Sequence, residues 1–128
     1  MSKKIVRVVA ALIRKDNKIF AAKRSYGFLK GKWEFPGGKI ENGETQEQAL
    51  IRELKEELST EIKINSFFCN IKYEYQEFIL DMDVFDVSVI NGRLLLHENI
   101  HSEEAFLNVD ELDYNEWCPA DIEILKKI

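Results

Sequence analysis

The stretch that decides the fold runs from Gly38 to Thr60: Gly38-Lys39-Ile40-Glu41-Asn42-Gly43-Glu44-Thr45-Gln46-Glu47-Gln48-Ala49-Leu50-Ile51-Arg52-Glu53-Leu54-Lys55-Glu56-Glu57-Leu58-Ser59-Thr60. Thr45 followed by Gln48 has the spacing of a capping box, in which each side chain satisfies an orphan N–H at the helix start. A helix is therefore expected from Thr45 through Leu58. Leu50, Leu54 and Leu58 recur every fourth residue and, with Ile51, give it one apolar stripe. On a helical wheel Glu53, Glu56 and Glu57 fall within a sector of about 100° that borders this stripe. Lys55 points away, and Arg52 flanks the acidic sector.

Outward from this helix the pattern changes to β. Upstream, Ile5 to Arg14 reads as a buried strand, Asp16-Asn17 as a turn and Lys18 to Lys23 as the returning strand. Ser25 to Lys32 reads as a loop, Trp33-Glu34-Phe35 as a short extended piece and Pro36-Gly37-Gly38 as a turn. Downstream, Glu61 to Tyr75 and Glu77 to Ile90 are β-rich. Asn91-Gly92 has the composition of a hairpin turn leading into Arg93 to Leu96, with a short strand over Ala105 to Leu107. Pro119 opens a last helix to Ile128, with Ile122, Leu125 and Ile128 on its inner side. The sum is an α+β fold: a mixed sheet, a central helix and a C-terminal helix.

The 128 residues fit a single domain, 1–128, and 45% hydrophobic residues suffice for one core. Lys and Arg number 18 against 23 Asp and Glu, a net charge of −5, which argues against binding of polymeric nucleic acid through a basic face. A bound divalent cation would still let an acidic site take a small polyanion. No apolar run approaches the ~18 residues that cross a bilayer, so no membrane partner is expected. The start of the chain has no small-residue cleavage pattern, and Cys69 and Cys118 are far apart, so a reduced, cytoplasmic setting is expected.

A run of glutamates on a helix is ordinarily a solvated face. Here like charges three and four apart cost roughly 0.2–0.5 kcal/mol per pair, and the acidic sector begins where the buried one ends. Hard carboxylate oxygens with no imidazole or thiol nearby suit Mg²⁺, or Mn²⁺, rather than Zn²⁺. Such a cation would offset the repulsion, bridge phosphates and activate a water. The residues thus point to metal-assisted hydrolysis of a phosphoanhydride.

The same residues resemble the Nudix box, G-x5-E-x7-R-E-U-x-E-E-x-G-U with U aliphatic. Gly38, Glu44, Arg52, Glu53, Leu54, Glu56 and Glu57 match, whereas Ser59 and Thr60 replace the closing glycine and aliphatic residue. If Ser59 keeps the left-handed geometry of that glycine, it costs roughly 1 kcal/mol. Trp33 to Glu41 is similar to the segment that precedes the box in MutT-type members, as are Tyr73-Glu74-Tyr75 and Pro119-Ala120-Asp121 to other segments. The implied fold is an α/β/α sandwich around a central mixed sheet. The implied reaction is hydrolysis of a nucleoside triphosphate to the monophosphate and pyrophosphate, cleansing the nucleotide pool of damaged or non-standard triphosphates. ADP-ribose or a dinucleoside polyphosphate is the alternative substrate, and a non-catalytic nucleotide-binding domain the alternative of another class.

The resemblance implies a metal set of Glu53, Glu56, Glu57 and the Gly37 carbonyl, with Glu53 as the base that activates water. Arg52 and Glu44 either orient the cluster or form a purely structural bridge. A further glutamate from outside the box is Glu98, with Glu103 and Glu104 as near alternatives. Arg24 is either a phosphate contact or a strand-end charge. Glu34, Phe35, Gly37, Gly38 and Lys39 join the substrate site by match, and Phe35, Tyr75 and Phe78 either stack on the base or pack in the core. Asp121 occupies the base-reading position. Ionised, it only accepts hydrogen bonds, as from a cytosine amino group; protonated, it also donates, as an oxidised purine requires. A rival motif, His97-Glu98-Asn99-Ile100-His101, satisfies the zinc-peptidase pattern H-E-x-x-H. It follows strand-like sequence and lacks an evident third ligand, so a loop near the site is the better reading.

Overall fold

The computed structural model describes residues 3–25, 27–92 and 101–128. Seven strands and two α-helices follow in order: β1 (Lys4–Lys15), β2 (Lys18–Arg24), β3 (Trp33–Glu34), β4 (Gly37–Lys39), α1 (Gln46–Leu58), β5 (Thr60–Glu74), β6 (Phe78–Gly92), β7 (His101–Asn108) and α2 (Pro119–Leu125). The strands form one mixed sheet. β1 runs parallel to β6 and antiparallel to β2 and β4, while β5 pairs with β6, and β3 and β7 with β2.

Both faces of β1 are buried, and its period of two divides them between two cores. Ala10 and Leu12 pack with Ala120, Ile124 and Leu125 of α2. Val9, Ala11 and Ile13 pack with Ala49, Leu50, Leu54 and Leu58 of α1. The sheet is thus sandwiched between the two helices, as expected.

The capping box of α1 forms: the Gln48 N–H donates to Thr45 Oγ1 at 3.1 Å and the Thr45 N–H to Gln48 Oε1 at 2.9 Å. Ile51 departs from the expected stripe and is exposed. At the far end Ser59 takes the left-handed conformation with φ of 50°, and its N–H closes on the Leu54 and Lys55 carbonyls. Glycine enters this region without the Cβ clash, so Ser59→Gly should raise the unfolding free energy by about 1 kcal/mol. Chemical denaturation measures it; an unchanged midpoint would mean that serine sits there without strain.

Two local expectations fail for one reason, long-range pairing. Gly37 and Gly38, expected in a turn, form β4 and pair with Ala10 and Val9. A Cβ on Gly37 would run into the Val9 carbonyl, so the glycine permits a close approach between strands. Asn91 and Gly92 do not turn but extend β6, opposite Glu61 and Thr60 of β5. Arg93 to Leu96 lie outside the described residues. In α2 the inward residues are Ala120, Asp121, Ile124 and Leu125, whereas Ile122 is half-buried and Ile128 exposed.

Candidate functional site

A cavity of about 530 Å³ opens along β4, β1 and the start of β6. Its apolar floor is one face of the parallel pair: Val6, Val8 and Ala10 of β1 beside Leu80 and Met82 of β6, in register with them. Glu53 and Glu57 of α1 line one part of it, with Gly37, Gly38 and Lys39. Arg24, Glu34, Phe35, Tyr75, Phe78 and Asp121 line the rest.

Arg52 organises the acidic part. Its Nε and Nη2 donate to both Glu44 oxygens, at 2.7 and 3.0 Å, and Nη2 also donates to the Lys39 carbonyl at 3.0 Å. Nη1 reaches Glu53 at 2.9 Å and Glu56 at 3.2 Å. Such a forked, charge-assisted arrangement fixes the guanidinium and, through it, the Glu53 carboxylate. The hydrogen bonds from Arg52 hold Glu44 below the usual carboxylate range.

Glu57 has the opposite environment. Burial, a hydrogen bond shared with Glu53 and the charges of Glu53, Glu34 and Glu56 push its carboxyl up to about 9. A divalent cation between these two half-buried carboxyl groups would replace that hydrogen bond, gaining two oxygen ligands and removing the repulsion. Glu53 and Glu57 therefore fit a hard cation. Glu56 is turned out to solvent and onto Arg52 rather than into the cavity. No group of three or more His, Cys, Asp or Glu side chains converges among the described residues. A Cβ on Gly38 would collide with the Glu53 carboxyl group. Gly38→Ala should thus displace that carboxylate and cut turnover at least tenfold while the thermal midpoint moves little, since misplacement by about 1 Å costs on that scale. Activity and melting measured side by side test it.

Glu98 and the rest of His97 to Ile100 lie outside the described residues; His101 begins β7, its backbone opposite Arg24. Of the neighbouring glutamates, Glu103 pairs with Lys23 at 3.3 Å, and Lys23 in turn lies over the Trp33 ring. Glu104 stands on the opposite face, in the row that joins it through Ala22 to Glu34, and one of its carboxylate oxygens is buried. The two near alternatives to Glu98 are separated by strand parity.

Arg24 is engaged rather than open to solvent: Nη1 contacts Glu34 Oε1 at 3.1 Å and Nε donates to the Phe28 carbonyl at 3.0 Å. Asp121 is buried and its Oδ2 accepts the Phe35 N–H at 2.9 Å. Burial first, and then the Glu34 charge, push its carboxyl up to about 8. Phe35 is core, packed on Trp117, whereas Tyr75 and Phe78 are half-buried at the cavity.

Sequence reasoning missed Phe28 and Leu29, which also line the cavity. Leu29 has φ of 65° and stands between Gly27 at 69° and Gly31 at 84°. A positive φ at leucine is strained, and the turn presents Phe28 edge-on to Tyr75 with centroids 5.3 Å apart. The available signal was an apolar pair inside a glycine-bracketed loop.

A NUDIX domain model matches residues 3–127. The chain belongs to the Nudix family. It is 36% identical over 124 residues to the CTP pyrophosphohydrolase of Escherichia coli K12, covering 96% of this chain and 90% of that one. It is 31% identical over 131 residues to the 8-oxo-dGTP diphosphatase of Haemophilus influenzae, covering 100% and 94%. The solution structure of a MutT protein of the Nudix hydrolase family from methicillin-resistant Staphylococcus aureus superposes with a TM-score of 0.74 at 37% identity, covering 98% and 96%. These Nudix relatives match almost the whole chain, from β1 through α2. Among the described residues no helix is long and apolar enough to cross a membrane.

Proposed function

We propose that this Nudix domain is a divalent-metal-dependent nucleoside triphosphate pyrophosphohydrolase that removes damaged or non-standard (d)NTPs, such as 8-oxo-dGTP or modified cytidine triphosphates. The observation that carries this is one cavity with two unlike ends: paired carboxyls at Glu53 and Glu57, and an apolar floor beside the buried Asp121. The first suits a phosphate chain held through a cation, the second a base. The relatives named for CTP and 8-oxo-dGTP support the same reading.

Glu53, Glu57 and the Gly37 carbonyl are the groups that would hold Mg²⁺, with Glu56 beside them on the exposed side of α1. When bound, the cation neutralises phosphate charge and lowers the pKa of a water. Glu53, held by Arg52, takes the proton of the water that attacks the β-phosphorus; the bond to the bridging oxygen breaks, and that oxygen leaves on the monophosphate. Arg24 contacts the phosphates by exchanging Glu34 for them. The test is pyrophosphate release with Mg²⁺ over 8-oxo-dGTP, dGTP, CTP, dCTP, 5-methyl-dCTP, ADP-ribose and diadenosine polyphosphates. Release from triphosphates, abolished by EDTA, is expected. Turnover of ADP-ribose or dinucleotides alone would replace the reading, and no turnover at all would leave a nucleotide-binding domain.

A further inference from the structure

The first turn of α2 lacks the usual cap, because Cys118 stands at the N-cap and makes no side-chain hydrogen bond there. The Ala120 N–H donates instead to the Tyr75 hydroxyl oxygen at 3.2 Å, across 45 residues of sequence. Tyr75 is itself well fixed. Its N–H donates to the Phe78 carbonyl at 2.8 Å, its carbonyl accepts Lys3 Nζ at 2.6 Å, and its ring packs on Phe28, Tyr73 and Phe78.

A phenol that accepts one hydrogen bond still has a proton to donate. Among the described residues no acceptor takes that proton, and Tyr75 lines the cavity next to Asp121, the residue directly after Ala120. Burial keeps the phenol protonated. Asp121 adds the complementary half. Its Oδ2 accepts the Phe35 N–H and retains a lone pair, and burial, which favours the neutral carboxyl, gives its other oxygen a proton to donate. Acceptor, donor and donor is the complement of cytosine, whose edge runs from the N4 amino donor through N3 to the O2 carbonyl. Uracil places an N–H at the centre of its edge, opposite a second donor.

We propose that Tyr75 selects the base: its oxygen accepts the Ala120 N–H while its proton is donated to the O2 carbonyl of a cytosine whose N3 and N4 pair with Asp121. This rests on the cavity being the nucleotide site. Tyr75 is then a specificity-determining residue as well as the cap of α2.

Equilibrium binding of CMP and of GMP, measured calorimetrically without metal on the full chain, separates the two roles. Tyr75→Phe keeps the ring and removes the hydroxyl, and should weaken CMP binding about tenfold, leaving the weaker GMP binding unchanged. Cys118→Ser places a hydroxyl where an N-cap bonds the Ala120 N–H. In Tyr75→Phe/Cys118→Ser the thermal midpoint should recover while the tenfold loss for CMP stays. The proposal is overturned if CMP affinity returns with the midpoint, if both nucleotides weaken alike, or if wild type does not prefer CMP. Pyrophosphate release is scored separately on wild type with Mg²⁺. Its absence would remove the hydrolase reading, and the CMP comparison would still decide Tyr75.

Discussion

Glu53→Gln should leave the sheet and both helices in place and lower pyrophosphate release by about a thousandfold or more. Glutamine has the same shape and still accepts from Arg52, now bonded to Glu53 at 2.9 Å. It loses the negative charge that the proposed mechanism uses twice, once to hold a cation and once to take a proton from water. The substitution also has a signature in the resting protein. The Glu57 carboxyl stands at about 9 because of burial and because Glu53 is beside it. With a neutral amide in place of that carboxylate the charge repulsion goes, and Glu57 moves back toward the ordinary carboxylate range. Metal-free melting at neutral pH should accordingly show a midpoint no lower than that of wild type. A variant that kept most of its turnover would transfer the base role to Glu57.

The acidic helix was legible because its signals are local. A capping box, a leucine repeat and the spacing of Arg52, Glu53 and Glu57 all lie within one element, and α1 begins and ends where they place it. The α+β class and the sandwich were legible for a related reason, since β1 carries apolar residues on both faces and needs a helix on each. What was not legible depends on residues distant in the chain. Gly37-Gly38 and Asn91-Gly92 have turn composition, and only pairing with β1 and β5 makes them strand. Glu103 and Glu104 cannot be told apart without the register against β2. Tyr75 looks like a stacking residue in sequence, and its bond to Ala120 exists only because α2 is folded against the β5–β6 end. Asp121 lines the cavity, and its protonation state was open in the sequence because Glu34 and the burial that decide it belong to other elements.

That protonation state gives the second large effect. In the folded chain the Asp121 carboxyl stands at about 8, against an ordinary value of 3.8, through burial and the Glu34 charge, while the Phe35 N–H and Arg24 pull it the other way. Between those two pH values the unfolded chain has released this proton and the folded chain still holds it. Stability therefore falls as pH rises across that window, by up to about 1.4 kcal/mol per pH unit from this group, and levels off above it. Asp121→Asn removes the titration and keeps an oxygen to accept the Phe35 N–H. In EDTA the variant should match wild type near pH 4 and exceed it increasingly up to pH 8, as read by denaturant midpoints. Glu57 titrates in both proteins and cancels in the difference. Asparagine also presents an acceptor and a donor at all pH values, as the neutral carboxyl does, so its CMP affinity should persist at pH 9, where that of wild type declines. Parallel stability curves would mean that Asp121 is ionised in the fold. The base would then meet a carboxylate that accepts hydrogen bonds and donates none, and Tyr75 would be the sole donor of the pair.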